Sequence, residues 1–504
     1  MAANSLYPAM KFQVQEQIVD TKALLDENNF YHQRQGVPSE LTKKLTYILG
    51  NTTRNWPIST MTLGGVGYGV NQSAIELDDV QFTYPVMGRR NKVSTVYSTE
   101  YVTGDTPGIG NDIFYITFSD NWIKRFYIIQ SEGGQQAYVH SDGEPVAGGF
   151  RYAVQLDPAG PLDFCPLSQL DPNTKWVELH TAVAESESRS TESKMIMPGK
   201  FKNQMGFMRA GISWAGNVAN KVMNIKVKTD KGETDVWMDY AMWQMEERWA
   251  EECEHMYWYN RYNRAVDGTI ALKDMLTGKI IPRGSGILEQ ILNKGTYSKL
   301  TYNTISNKIG DALFGQSDTM GMNITLMTGT GGKREFHRAM LEKGAQFFAS
   351  FGGMNTADKF LTGSNYNLML GGYFDGFYHI DGYTIKVKYN PLFDVGRIAE
   401  GGPLHPESGL PLESYRMVFL DDGDVDGMPN IVHVAQKGRA YMDGVSQGLT
   451  NMPRSIQILL GNGPNQSKLL STVQDKAEYT RMKSAGIQIM RANRCFDLQC
   501  VAGL

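Results

Sequence analysis

The strongest pattern along the chain is helical. From Tyr240 to Tyr262 (YAMWQMEERWAEECEHMYWYNRY), Met242, Met245, Trp249, Cys253 and Met256 recur at steps of three and four, which places them on one face of an α-helix. Glu246, Glu247, Glu251, Glu252 and Glu254 fall mostly on the other side, as expected of a solvated face. At ~1.5 Å per residue such a helix is roughly 35 Å long. A second helix is predicted from Lys299 to Phe314, where Ile305, Ile309 and Leu313 are spaced by four. A strand–turn–helix unit follows: Asn323–Met327 apolar and β-prone, Thr328–Gly332 turning, Lys333–Phe348 helical.

Elsewhere the period is two. Tyr383, Ile385, Val387 and Tyr389 alternate with Lys386 and Lys388, so the first set faces inward and the lysines outward. Met223–Met238 predicts a hairpin: Ile225 and Val227 alternate with Lys226 and Lys228, Asp230-Lys231-Gly232 turns the chain, and Val236 resumes it. Asn111–Gln130 reads as two aromatic and β-branched runs around Ser119-Asp120-Asn121. Further strands are expected at Tyr415–Leu420, Asn430–Ala435, Ile487–Met490 and Cys495–Val501. Residues 75–170 look all-β, punctuated by Gly133-Gly134, Asp142-Gly143 and Gly148-Gly149 and ended by Asp157-Pro158 and Pro166.

The first 60 residues are polar and weakly patterned, with one amphipathic candidate at Val14–Leu25, so they read as an arm. The run AESESRSTESK at 184–194 reads as a solvated loop. A few long helices among blocks of strands argue for an α+β fold and against a doubly wound sheet. No repeat at a period of ~20–50 residues is visible.

Composition narrows this picture. With 504 residues, 41% hydrophobic and 20% charged, the chain can bury large cores and its body is not disordered. Tyr (25) outnumbers Phe (21) and Trp (8), and Gly reaches 53, which suits strands, turns and wet interfaces. A net charge of −4 without a Lys/Arg block disfavours a dedicated nucleic-acid reader, though not a container for nucleic acid. Cys165, Cys253, Cys495 and Cys500 form no CxxC pair, so a reducing compartment is expected. The first three read as buried, with Cys500 near the C-terminal surface. Neither a signal-peptide pattern nor an apolar run of about 18 residues occurs, so neither export nor a membrane helix is expected.

Candidate chemistry is sparse. Thr328-Gly-Thr-Gly-Gly-Lys333 lies where a phosphate loop would, but Met327 holds the first Gly position and Arg334 the hydroxyl position, leaving a plain strand-to-helix turn. Gly64-Gly65-Val66-Gly67-Tyr68-Gly69 lacks the third Gly of a dinucleotide fingerprint, which would fall at Val70. Asp422, Asp424 and Asp426, with Gly427, open like a calcium loop, but the closing Glu would fall at His433; a strand connection rich in Asp and Gly is the competing reading. Glu252-Cys253-Glu254-His255 puts a carboxylate and an imidazole on one helix, yet no second ExxH helix exists for a di-iron site, and a solvated acidic face is expected. The eight His residues are scattered, and neither HExxH nor GxSxG occurs. No catalytic, cofactor-binding or metal-ligating residue is therefore assigned.

The order of elements in the second half is more telling. An extended hairpin region (171–239) precedes one long helix, then the strand–turn–helix unit, then Gly382–Tyr389 entering Asn390-Pro391-Leu392. The chain closes with Tyr479–Met490 and Cys495–Val501. This succession resembles the major capsid proteins of tailed bacteriophages with the HK97-like fold, most of all those of crAss-like phages of Bacteroidales. The resemblance implies an N-terminal arm (1–74), an extended loop region (171–239) and a peripheral domain (240–317 plus 476–504) with spine helix 240–262. It further implies an axial domain (318–475), with 75–170 as a β-rich insertion. It also implies an icosahedral head of hexamers and pentamers around double-stranded DNA, assembled in the host cytoplasm, without enzymatic activity, cofactor or membrane. Partners would be copies of itself, a portal, and auxiliary or head-fibre proteins. The short arm, with no coiled-coil pattern, points to a separate scaffold protein. Rival readings are a tail or adhesin component, which would need repeats or trimeric coiled coils, and a metal-dependent hydrolase built on Asp422, Asp424 and Asp426.

Overall fold

The computed structural model describes residues 44, 56–59, 74–88, 91–157, 160–185, 194–216, 222–229, 232–265, 267–313, 322–350, 376–378, 382–425, 427–449 and 472–501. The expected helix at Val14–Leu25, the Gly64–Gly69 run and most of the 184–194 run lie outside them. The chain divides into two compact units, Thr83–Phe201, and Met1–Phe82 with Lys202–Leu504.

The smaller unit is a closed barrel. Six strands, Phe114–Phe118, Ser94–Ser98, Lys175–Thr181, Tyr127–Ser131, Gln136–Val139 and Gly149–Leu156, pair antiparallel in that order, and the last pairs back onto the first. The short strand Glu144–Val146 adds a hairpin to Gly149–Leu156. Alternation decides what lies inside: Phe114, Ile116 and Phe118 are buried while Tyr115 is exposed. Val96, Ile129, Val139, Tyr152, Val154 and Trp176 complete the core. The barrel closes only with Lys175–Thr181, because Trp176 fills the interior and the strand bridges Ser94–Ser98 to Tyr127–Ser131. Closure removes the open strand edges that invite unwanted pairing. At the seam a Cβ on Gly149 would sit 2.4 Å from the carbonyl oxygen of Phe118, so only glycine fits there.

Two large sheets are described in the larger unit, beside two-stranded ribbons. One is mixed and six-stranded, in the order Asn293–Tyr297, Phe496–Cys500, Met417–Asp421, Asn323–Thr328, Thr384–Tyr389, Gly376–Tyr378. Both its faces are buried. Ile324, Leu326, Ile385, Met417, Phe419 and Leu498 point into a core shared with helices Tyr302–Leu313 and Thr330–Ser350, through Ile305, Ile309, Phe336 and Met340. The alternate residues Met327, Val418 and Leu420 enter a second core with Trp249, Cys253, Tyr257, Trp258, Leu392 and Phe393. Two buried faces require nearly continuous apolar strands, which is what MVFLD at Met417–Asp421 supplies.

The other sheet is organised by one 14-residue strand, Lys476–Ile489. It pairs along one side with Gly206–Ala215 and along the other with Met442–Gln447 and Ile431–Gln436, the last also carrying Ala74–Leu77 in parallel. Sequence periodicity marks only the end of this strand, at Ile487–Met490, because Lys483, Ser484 and Gln488 break the apolar pattern although all three are buried.

The long helix runs from Trp237 to Tyr259, three residues earlier at each end than its periodicity suggests. Its first half packs Met242 and Met245 on Trp214, Ala477 and Tyr479, and its second half enters the core between the two sheets. Two further expectations are corrected. Cys500 is buried like the other three cysteines, because Phe496–Cys500 is an inner strand. Tyr389, at the end of its strand, is 43% exposed, whereas Tyr383, Ile385 and Val387 are buried as the alternation requires.

A buried ion pair ties the late strands to the rest. Arg416 donates to both carboxylate oxygens of Asp497 (Nε 2.9 Å, Nη2 2.6 Å) and through Nη1 to Glu413 (2.8 Å), which also accepts from Tyr259 Oη (2.7 Å). Asp497 is fully buried. Removing one partner of such a pair leaves an uncompensated charge. Asp497→Ala is therefore expected to lower unfolding stability by about 3–5 kcal/mol in urea titrations, while replacing Arg416 and Asp497 together by apolar residues costs much less. Equal losses in the two variants would show that charge compensation is not what matters at this position.

Candidate functional site

The glycine-rich turn is built to start a helix. The strand ends at Thr328 and the helix begins at Thr330. The Asp394 carboxylate accepts from Thr330 N (3.0 and 3.1 Å) and from Thr330 Oγ1 (2.5 Å). Ser414 Oγ donates to Asp394 (2.5 Å) and accepts from Gly331 N (2.8 Å). The amides that would cradle a phosphate are thus used by the chain's own side chains, as a capped strand-to-helix turn requires. A Cβ on Gly332 would lie 1.9 Å from Thr328 Oγ1, so this glycine serves close packing.

Two of the three aspartates, Asp422 and Asp424, lie among the described residues. Asp424–Val425 pairs with Met428–Pro429 in a short hairpin whose turn contains Gly427 at φ +81°, which is the strand-connection reading. Asp422 and Asp424 are exposed, Asp422 accepts from Thr325 Oγ1 at 3.3 Å, and Asp426 lies outside the described residues. His433, at the position of the missing Glu, is buried in the neighbouring strand, with Nε2 2.9 Å from Tyr257 Oη. Burial, reinforced by Lys483, holds its pKa well below the usual value. Among the described residues no group of three or more His, Cys, Asp or Glu side chains is placed to hold a metal ion.

The acidic helix face divides in two. Glu251 lies 3.4 Å from His255 and 3.6 Å from Arg397, and Glu252 lies 3.3 Å from Arg397. Glu254 does not share that exposed side, as the pattern suggested; it is fully buried. Its carboxylate accepts from Ile58 N (2.9 Å), Ser59 N (3.1 Å), Ser59 Oγ (2.8 Å) and Trp258 Nε1 (3.0 Å). Burial raises its pKa against the opposing pull of these donors. Trp56 and Ile58 join the core around it. Glu254 is therefore the latch that holds residues 56–59 on the long helix. A sequence signal existed: Ala250 and Trp258, four residues to either side, are buried on the same face.

The hairpin Val222–Thr229 and Gly232–Val236 forms as predicted and leads straight into the long helix at Trp237. It is a two-stranded ribbon with Lys226, Lys228 and Glu233 exposed. Lys44 touches it through a parallel bridge to Lys226, and Lys44 Nζ lies 2.7 Å from Glu233. All four thiols are free and buried, and burial pushes Cys165 and Cys495 up to about 12, far from a reactive thiolate. No helix among the described residues is long and apolar enough to cross a membrane.

The latch generates a test. Glu254→Ala strands buried donors, each worth about 1–3 kcal/mol when unsatisfied, and should deprotect the Ile58 and Ser59 amides in hydrogen exchange. Because the folded pKa is raised, the group's contribution is complete below its unfolded value of 4.5 and declines as pH rises through the folded value. The stability of Glu254→Gln relative to the parent should accordingly improve with rising pH in that window, as read by paired denaturation curves. A pH-independent difference would contradict the raised pKa.

Comparison with known proteins then places the chain. The major capsid protein of Bacteroides phage crAss001 is 23% identical over 412 residues, which span 78% of this chain and 78% of that protein. Among solved structures, the capsid of Ralstonia phage GP4 is similar with a TM-score of 0.34 at 9% identity, covering 93% of this chain and 96% of that one. The cyanophage Pam1 capsid asymmetric unit gives 0.31 at 8% identity, covering 65% and 83%. The decisive match is to a family model described as Crassvirus major capsid protein, over residues 9–502. Since that match runs through both compact units, the chain belongs to the Crassvirus major capsid protein family and is a structural component of a phage capsid.

Proposed function

We propose that this chain is the shell-building subunit of an icosahedral tailed-phage head with HK97-like organisation, forming hexamers and pentamers that enclose double-stranded DNA without reading its sequence. The observation that carries the proposal is the family match over residues 9–502. In this reading the helix Trp237–Tyr259 is the spine of the peripheral domain (240–317 plus 476–504), and 318–475 form the axial domain. Residues 1–74 are the arm and 171–239 the extended loop region carrying the hairpin. The β-rich insertion, expected at 75–170, is the barrel that runs from Ser94 to Thr181 and so takes Lys175–Thr181 from the stretch expected as extended loop; it clamps neighbours or receives an auxiliary protein.

Physical features support this assignment. A two-stranded ribbon is marginal alone and leaves both outer edges unpaired. The arm supplies part of what it lacks at Lys44, and neighbouring copies supply the rest. Subunits that meet head to tail close into rings, and extended segments then lock rings together. A net charge of −4 suits a lining that does not grip packaged DNA. Portal, scaffold and auxiliary proteins complete the partner set, with assembly in the host cytoplasm and no catalytic step in the subunit itself.

Expression of the full chain, with and without a scaffold protein, followed by size analysis and negative-stain imaging, should give shells, tubes or capsomer rings. A persistent monomer under all such conditions would remove the proposal. Within the hairpin, Lys226→Glu with Lys228→Glu should change unfolding stability by less than about 0.5 kcal/mol, as exposed positions do. The same substitutions should cut the assembled fraction by roughly tenfold if the ribbon carries interface energy. Normal assembly would move the contact elsewhere.

A further inference from the structure

One mouth of the barrel is closed by a side chain from outside its sheet. Tyr127 lies two residues before the buried Ile129, and Glu178 two residues after the buried Trp176. Tyr127 pairs with Thr181 and Ser131 with Trp176, so alternation brings Tyr127 and Glu178 to the inner face at the same end. Trp122 reaches that end from the preceding turn, where its N–H donates to Asp120 (3.2 Å), itself held by Ser94 Oγ (2.8 Å). Before Tyr127 the backbone is fixed by Phe126, a bulky residue at φ +72°. The Phe126 N–H donates to Val139 O (2.8 Å), and its carbonyl accepts from Ala182 N (2.9 Å).

Lys194 fills this mouth. Its ammonium lies 4.4 Å from the Tyr127 ring centre and 5.0 Å from that of Trp122, and it pairs with the Glu178 carboxylate. The Lys194 and Glu178 side chains are each 13% exposed. Burial lowers the lysine pKa against the pull of Glu178, so the ring faces and the carboxylate stand in for lost hydration. Asp120, Asp142 and Glu178 all act on the Tyr152 hydroxyl. Asp120 and Asp142 have exposed cations of their own, Lys92 at 3.2 Å and Arg125 at 3.9 Å, whereas among the described residues Glu178 pairs with Lys194 alone. The segment behind the lysine is otherwise unattached: residues 195–198 make no hydrogen bond among the described residues, and Met195 and Met197 are exposed.

We propose that Trp122, Tyr127 and Glu178 form a binding site for a primary alkylammonium group, the end of a lysine side chain, and that Lys194 is its built-in, exchangeable occupant. Two ring faces beside the cation and one carboxylate against it are the chemistry that recognises such a group. Barrel mouths are a common place for ligand sites. With Lys194 withdrawn, Glu178 is the one carboxylate of the three left without a cation, so the open mouth selects for an ammonium. While it stays tethered, Lys194 competes at high effective concentration, and an outside lysine enters only when the segment at 194–198 lifts away.

The test uses the full chain and n-butylammonium, which reproduces the lysine side chain from Cβ outward. In calorimetric titrations at constant ionic strength, Lys194→Ala should bind a single equivalent in the millimolar range, and the parent should bind roughly tenfold more weakly or less. n-Butanol, of the same shape without the charge, should bind Lys194→Ala roughly tenfold more weakly than the ammonium does. Adding Glu178→Gln to Lys194→Ala should weaken n-butylammonium by a similar factor. In the parent, a brief pulse of acetic anhydride should acetylate Lys194 more slowly than the exposed Lys200, and Glu178→Gln should narrow that gap. Equal binding by parent and Lys194→Ala, no binding by a folded Lys194→Ala, or equal affinity for butanol would each overturn the inference. If Lys194→Ala does not fold, the labelling decides: Lys194 acetylated as fast as Lys200, or a gap that Glu178→Gln leaves unchanged, rules the exchangeable occupant out.

Discussion

The last strands of the chain occupy inner positions in both sheets of the larger unit, and the rest of that unit depends on this placement. Lys476–Ile489 lies between Gly206–Ala215 on one side and Ile431–Gln436 with Met442–Gln447 on the other. Phe496–Cys500 lies between Asn293–Tyr297 and Met417–Asp421. Neither sheet can complete its backbone pairing until the C-terminal residues are present, and each pairing spans a long stretch of chain. Such non-local contacts are slow to form, because loop closure precedes the stabilisation it allows. The Phe419–Phe496 stack, at 4.1 Å, and the Arg416–Asp497 pair secure the second strand once it arrives.

Around that frame the protein treats its strand edges in two opposite ways. The six strands of the barrel close on themselves, with Gly149 making room at the seam and Glu144–Val146 left as an outer strand. Among the described residues, the ribbon of Val222–Thr229 and Gly232–Val236 pairs along its outer edges through a bridge at Lys44. A closed barrel is stable by itself and suits a module carried on the subunit, whereas an open ribbon is incomplete until something lies against it. Glu254 resembles the barrel in this respect, since Ile58, Ser59 and Trp258 meet its carboxylate from within the chain.

Polar residues on inner strands show why part of this was hidden from periodicity. Lys483, Ser484 and Gln488 interrupt the apolar pattern of Lys476–Ile489, yet all are buried. Gln488 bonds Asn203 at 2.8 Å, and Lys483 lies with its ammonium 5.2 Å from the Tyr257 ring centre, its pKa lowered by burial. Gln488 and Lys483 are tolerated because a specific, sequence-distant partner meets each. Glu254 was misplaced for the same reason, since its partners Ile58 and Ser59 lie 195 residues or more away.

The sequence by itself determined the elements whose signals are local: the long helix with its apolar face, the hairpin before it, the strand–turn–helix at Asn323–Ser350 and the alternating strand at Tyr383–Val387. It also determined the family, whose model matches residues 9–502. Only the tertiary structure decided that six short strands close into a barrel, that the C-terminal strands lie inside both sheets, and that Glu254 is a buried anchor while Met275 and Leu276 are not buried at all. Helix and strand periods report neighbours within a few residues, whereas burial of a polar side chain, closure of a barrel and exposure of an apolar tip depend on what arrives from distant parts of the chain.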